Sequence, residues 1–159
     1  MNTSIQESPV AAQAADLVGT WFLEEAYAVN ASGERLFDVY GQRPSGIITY
    51  GADGRMVALI AHDGRALLDG DRQAAPAEQR AEAYKSSIGY AGDFSLEGNC
   101  VHHHIDVSTY PNWVGTTLRR FLAFEDGCAV LLTPPQMQDG VETVIKLVWR
   151  RRQRPAAAQ

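Results

Sequence analysis

Two cysteines, Cys100 and Cys128, are all the chain has in 159 residues. That is too few for a disulfide framework in a chain this long, and their spacing is not that of a zinc knuckle. Positive charge is also scarce. The formal net charge is −5, and four of the fourteen Lys and Arg residues (Arg150, Arg151, Arg152 and Arg154) crowd the C-terminus. Ten basic residues then remain against nineteen acidic ones, which excludes a nucleic-acid surface, because phosphate binding needs clustered cations. The terminal arginines read as a solvated tail. No apolar run approaches the length of a membrane span. Met1 to Ala15 has neither the basic start nor the apolar centre of a signal peptide, so the expected compartment is the cytoplasm, with both thiols reduced. Familiar catalytic signatures are missing too. There is no glycine-rich phosphate loop, no Gly-x-Ser-x-Gly elbow and no His-Glu-x-x-His. Asp63-Gly64 and Asp69-Gly70-Asp71 lack the spacing and closing glutamate of a calcium loop and read as exposed loop.

What is present is a succession of short apolar-polar runs separated by turn residues. Strand-like segments fall at Trp21–Val29, Gly46–Tyr50, Met56–Ala61, Gly89–Leu96, Cys100–Tyr110, Thr116–Phe124, Ala129–Thr133 and Glu142–Arg151. Gly51-Ala52-Asp53-Gly54, Glu97-Gly98-Asn99 and Glu125-Asp126-Gly127 supply hairpin turns. One stretch breaks the pattern. Pro76 stands where a helix would begin, and Ala77, Ala81, Tyr84 and Ile88 recur at helical spacing, which predicts one amphipathic helix near 76–88 leaning on the strands. The fold class expected is all-β: a closed antiparallel up-and-down barrel of about eight strands. Residues 14–151 form the barrel domain in this reading. Residues 1–13 precede it as a loosely attached segment with a turn of helix near Ala14–Val18, and 152–159 follow as a flexible tail. A barrel of this size has an interior wide enough for one small ligand.

The three consecutive histidines at 102–104 are the most conspicuous local feature. Alternation along a strand puts Cys100, His102, His104 and Asp106 on one face and Val101, His103, Ile105 and Val107 on the other. The second set is apolar apart from His103 and should face the barrel interior. A lone imidazole there either moves a proton for a ligand or is a structural histidine bonded to a carbonyl or a tyrosine. The His102-x-His104 pair has a metal-ligand spacing, with Asp106 or His62 to add a donor, but it shares the polar face, and no metal site is expected. Tyr50, Tyr90, Tyr110 and Trp113 are candidates for the cavity and its mouth; each also serves as ordinary core. The Pro111-Asn112-Trp113 loop is the best placed for display.

Gly19-Thr20-Trp21 at the entry to the first strand fits a barrel whose floor is plugged by an indole that a glycine lets the chain approach. Together with Gly46-Ile47-Ile48-Thr49-Tyr50, Asp53-Gly54-Arg55-Met56, Pro111-Asn112-Trp113-Val114-Gly115-Thr116 and Leu147-Val148-Trp149-Arg150, it resembles the bacterial and fungal lipocalin-like domain family over roughly Leu17 to Arg151. The resemblance implies a lipocalin-like barrel and carries over to Trp21, Tyr50, His103, Pro111, Asn112, Gly115, Arg119 and Trp149. It favours Arg119, which shares a strand face with Phe121 and Ala123, and pairing of sequential strands would set Arg119 near His103. An arginine stacked on Trp21 or Trp149 at the barrel end is the packing alternative.

Two functions follow as expectations. The first is binding of a small apolar or amphipathic metabolite within the barrel, with Tyr90, Tyr110, Trp113 and Phe121 as contacts. The second is a cofactor-independent isomerase or cyclase in the same cavity, acting on a natural-product-like substrate. There His103 would shuttle a proton and Arg119 or Tyr50 would polarise a carbonyl. Neither needs a cofactor, a nucleic acid or a membrane. Barrels of this size are often dimers, so a homodimer is among the expected partners, although no segment marks an interface.

Overall fold

Period-two alternation of apolar and polar side chains gives each strand one face to bury, and a sheet that curls until its edges meet buries all of those faces at once. The computed structural model, which describes residues 12–153, shows that solution. In chain order the elements are α1 (Ala14–Leu17), β1 (Gly19–Asn30), β2 (Arg35–Asp38), β3 (Ser45–Tyr50), β4 (Arg55–Ala61), α2 (Ala77–Lys85), β5 (Ser87–Glu97), β6 (Cys100–Ser108), β7 (Thr117–Glu125), β8 (Cys128–Leu132), β9 (Gln136–Gln138) and β10 (Val141–Arg151). Strands β1, β3, β4, β5, β6, β7, β8 and β10 pair antiparallel in that order, and β1 pairs with β10 to close an eight-stranded barrel. Strands β2 and β9 were not anticipated. They are short additions on the outer ends of β1 and β10, too brief for alternation to reveal them.

The hairpins β3–β4, β5–β6 and β7–β8 turn at one end of the barrel, with α1 and the start of β1. This end is closed. Trp21 is 2% exposed, its Nε1 donates to the Leu17 carbonyl at 2.8 Å, and the Arg151 guanidinium lies 4.2 Å from the ring centroid. Arg151 also donates to the carbonyls of Val18, at 2.7 Å, and Asp16. Gly19 adopts φ +131°, in the left-handed region, and a Cβ there would lie 2.8 Å from Arg151 Nη1, so the glycine expected beside the plug is required. The terminal basic cluster is therefore not simply a solvated tail. Arg151 stacks on the plug, and Arg150 pairs with Glu24 across the ladder, Nη2 to Oε2 at 3.0 Å.

Two register shifts decide which residues face inward. In β1 the shift between Leu23 and Glu25 moves the inward set from Trp21 and Leu23 to Ala26 and Ala28. Between β5 and β6 a bulge lies opposite the Ala91–Gly92 step. Val101, His103 and Ile105 are buried as alternation requires, whereas Val107, beyond the bulge, is 62% exposed. The bulge depends on Gly92, because a Cβ at that position would lie 1.8 Å from the His104 carbonyl oxygen. Gly92→Ala should cost roughly 3 kcal/mol, the upper end for overpacking, since rigid backbone is what must move. Denaturant unfolding measures it, and a loss below about 0.5 kcal/mol would mean that the bulge yields freely.

Helix α2 forms where expected, after Pro76, but it does not lay an apolar face on the barrel: none of its side chains is buried, and Ile88 belongs to β5. Polar ties hold it, with Arg65 Nε donating to Ser86 Oγ at 3.0 Å and Arg65 Nη2 to the Ala83 carbonyl at 3.1 Å. Among the described residues no helix is long and apolar enough to cross a membrane. Of the segments expected at 1–13 and 152–159, only Ala12, Gln13, Arg152 and Gln153 are described. The Arg152 amide still bonds to the Thr20 carbonyl at 2.8 Å, extending the β1–β10 ladder by one step. The remainder lies outside the described residues.

Candidate functional site

The barrel end opposite α1 carries the longer connections, and a cavity of about 540 Å³ enters the barrel there. That volume suits one small organic molecule. Phe37, Val39 and Tyr40 of the β1–β3 connection, Trp113 of the β6–β7 connection and Pro134-Pro135-Gln136 before β10 form its mouth. Ile48, Tyr90, Leu131, Leu147 and Trp149, all buried, form its deep wall, and Arg120 projects into it from β7. Among the described residues, no acidic side chain lines it.

The inward face of β6 places His103 fully within the barrel, where its Nε2 is hydrogen-bonded to the Tyr50 hydroxyl at 2.8 Å. Burial first, and then the nearby Arg120, His104 and His102 charges, hold the imidazole at a pKa of about 3, so the ring is neutral near pH 7. Burial likewise drives the Tyr50 hydroxyl well above its ordinary range. Beside the pair lie two cavity-lining residues, Tyr90, whose ring centroid is 5.9 Å from that of the imidazole, and Leu118, opposite His103 in the β6–β7 ladder. Tyr50 and His103 themselves do not line it. The imidazole's surroundings thus match the structural alternative, a histidine bonded to a tyrosine.

The ligand contacts expected from the sequence divide into two groups. Tyr90 and Trp113 meet edge to face at 5.4 Å, and both line the cavity. Tyr110 is 40% exposed and lies outside the cavity, supporting Trp113 from behind at 5.8 Å while its hydroxyl accepts from Asn112 Nδ2 at 3.0 Å. Arg119 and Phe121 require correction. The β6–β7 register sets His103 opposite Leu118 and His102 opposite Arg119, so the even-numbered residues of β7 point inward. Arg119 and Phe121 are exposed on the outer surface, and Arg120 holds the interior position expected of Arg119. A signal for this was present: Arg120 alternates with Leu118 and Leu122, the more apolar series of that strand. Tyr40, in a connection without periodicity, offered no such signal.

On the outer face of β6, His104 uses both ring nitrogens on hydroxyls, Ser95 Oγ and Thr117 Oγ1, each at 3.0 Å. Asp106 is engaged by Arg55, Nη1 to Oδ2 at 2.6 Å. Cys100 and Cys128 are both free thiols.

Two buried side-chain nitrogens have no hydrogen-bond partner among the described residues: His103 Nδ1 and Trp149 Nε1. The second belongs to a cavity-lining ring. A buried donor without a partner costs free energy.

Comparison with known proteins agrees with this architecture. A protein of Aspergillus oryzae named "4'-hydroxy-3'-methoxypropiophenone carrier protein ppsC" is 32% identical over 99 residues, an alignment that covers 57% of this chain and 85% of that protein. Residues 18–152, from the strand entry beside the Trp21 plug to the end of the closing ladder, match the family described as the lipocalin-like domain, and the chain belongs to that family.

Proposed function

We propose that this protein binds and carries a small aromatic metabolite, partly apolar and bearing oxygen acceptors, in the cavity at the open end of the barrel. The observation that carries the reading is the cavity itself, about 540 Å³ in volume, walled by aromatic and aliphatic side chains and supplied with a few inward-facing donors. The name of the Aspergillus oryzae relative, a carrier of a hydroxyaryl ketone, supports the same class of ligand. A carrier is favoured over a cofactor-independent isomerase or cyclase because the buried acid-base pair, Tyr50 and His103, does not line the cavity. An imidazole held at about 3 is moreover a weak base near neutral pH.

The test uses 4'-hydroxy-3'-methoxypropiophenone as probe, with equilibrium dialysis for binding and mass spectrometry for turnover. Expected are a dissociation constant in the micromolar range, on the order of −8 kcal/mol, and recovery of the compound unchanged. Leu118→Trp, which fills the cavity wall, should weaken binding at least about tenfold. Conversion of the probe that stops in His103→Ala would instead establish a catalyst, and equal binding by the wild type and Leu118→Trp would place the ligand elsewhere.

A further inference from the structure

The polar lining of the cavity is one-sided. Among the described residues it contains a guanidinium, Arg120, and no carboxylate. Arg120 Nη1 donates to the neighbouring Arg119 carbonyl at 2.7 Å, and no described carboxylate forms an ion pair with it. The other groups nearby are donors or neutral. Burial raises the pKa of Tyr40 and Tyr90, so both remain uncharged phenols, and the His103 imidazole is neutral. A cation facing an apolar enclosure is costly unless an opposite charge shares the space.

We propose, building on the carrier reading, that the cavity selects an aromatic anion, a carboxylate or an acidic phenolate, with its charged oxygen against Arg120. The aromatic rings of Tyr90 and Trp113 supply the faces and edges for the ligand ring, and the missing negative charge in the wall is brought by the ligand. Arg120 is then the residue that discriminates between ionised and neutral ligands of the same shape.

The experiment is isothermal titration calorimetry near neutral pH with two probes of one ring system, naphthalene-2-carboxylate and its uncharged methyl ester. The wild type should bind the carboxylate at least about tenfold more tightly than the ester. Arg120→Gln should abolish that preference and leave ester binding within about threefold, whereas Arg120→Lys should keep part of it. The wild-type comparison needs no variant, so the proposal remains falsifiable even if Arg120→Gln fails to fold. If the ester binds as tightly as the carboxylate, the anion proposal falls and the carrier reading stands. A carboxylate preference that survives in folded Arg120→Gln also overturns it. If neither probe binds the wild type, the anion proposal falls, and the carrier reading is decided separately by dialysis with 4'-hydroxy-3'-methoxypropiophenone.

Discussion

Replacing Trp21 by alanine should lower the free energy of unfolding by about 3–5 kcal/mol, the range for removing a large aromatic from a packed core. Three contacts are lost together: the buried indole surface, the hydrogen bond from Nε1 to the Leu17 carbonyl at 2.8 Å, and the seat of the Arg151 guanidinium 4.2 Å from the ring centroid. Because α1 is only four residues long, it has little helical stability of its own and depends on what it caps. The loss should therefore open the floor as well as hollow it. Urea unfolding followed by circular dichroism measures the change, and amide exchange at Leu17 and Val18 reports the opening. Trp21→Phe separates the effects, since it keeps most of the packing and gives up only the donor, at about 1 kcal/mol. A loss below about 1 kcal/mol for the alanine variant would mean that the barrel closes without the indole.

Acidification should destabilise the protein through His103. The folded-state pKa lies at about 3, against 6.5 for the ordinary side chain. Below pH 6.5 the unfolded chain takes up a proton that the folded protein refuses, so stability falls as pH falls. The contribution of the neutral ring is complete above about pH 6.5 and is lost progressively down to about pH 3. Each pH unit in that window removes up to about 1.4 kcal/mol, on the order of 5 kcal/mol in all. Carboxylates held low by arginines, such as Glu24 beside Arg150 and Asp106 beside Arg55, add a sensitivity of the same sign at more acidic pH. The informative quantity is therefore the difference between the wild type and His103→Gln in denaturant unfolding across the range. The variant should show a shallower dependence between pH 6.5 and pH 4. Identical slopes would mean that the imidazole takes up its proton as readily in the folded barrel as in the unfolded chain, as a proton-shuttling histidine would.

This acid sensitivity bears on function. A titrating histidine poised for proton transfer would have its pKa near the working pH, in a ring that meets the substrate. The His103 imidazole is held at about 3, does not line the cavity, and is buried and bonded to Tyr50. The Tyr90 ring, which lines the cavity, has its centroid 5.9 Å from that of the imidazole.

Much of the barrel was legible along the chain because antiparallel strands write their two faces in alternation and hairpins are marked by glycine and asparagine. All eight barrel strands fall within a few residues of the runs read from sequence, and the Gly19–Trp21 plug stands at the closed end. His103 was assigned to the interior because Val101 and Ile105 flank it on the same face. Those inferences needed only local patterning. The rest depended on register, which is set between strands. One bulge moved Val107 outward, and the pairing of His103 with Leu118 gave the interior to Arg120 in place of Arg119. The two adjacent arginines differ in sequence only in that Arg120 alternates with Leu118 and Leu122, and a single step of strand pairing separates the outer surface from the cavity. The cavity mouth belongs to the same category. Tyr40, Trp113 and Pro134 lie far apart in the chain, and only closure of the barrel brings their connections to one end, around the open side of the site.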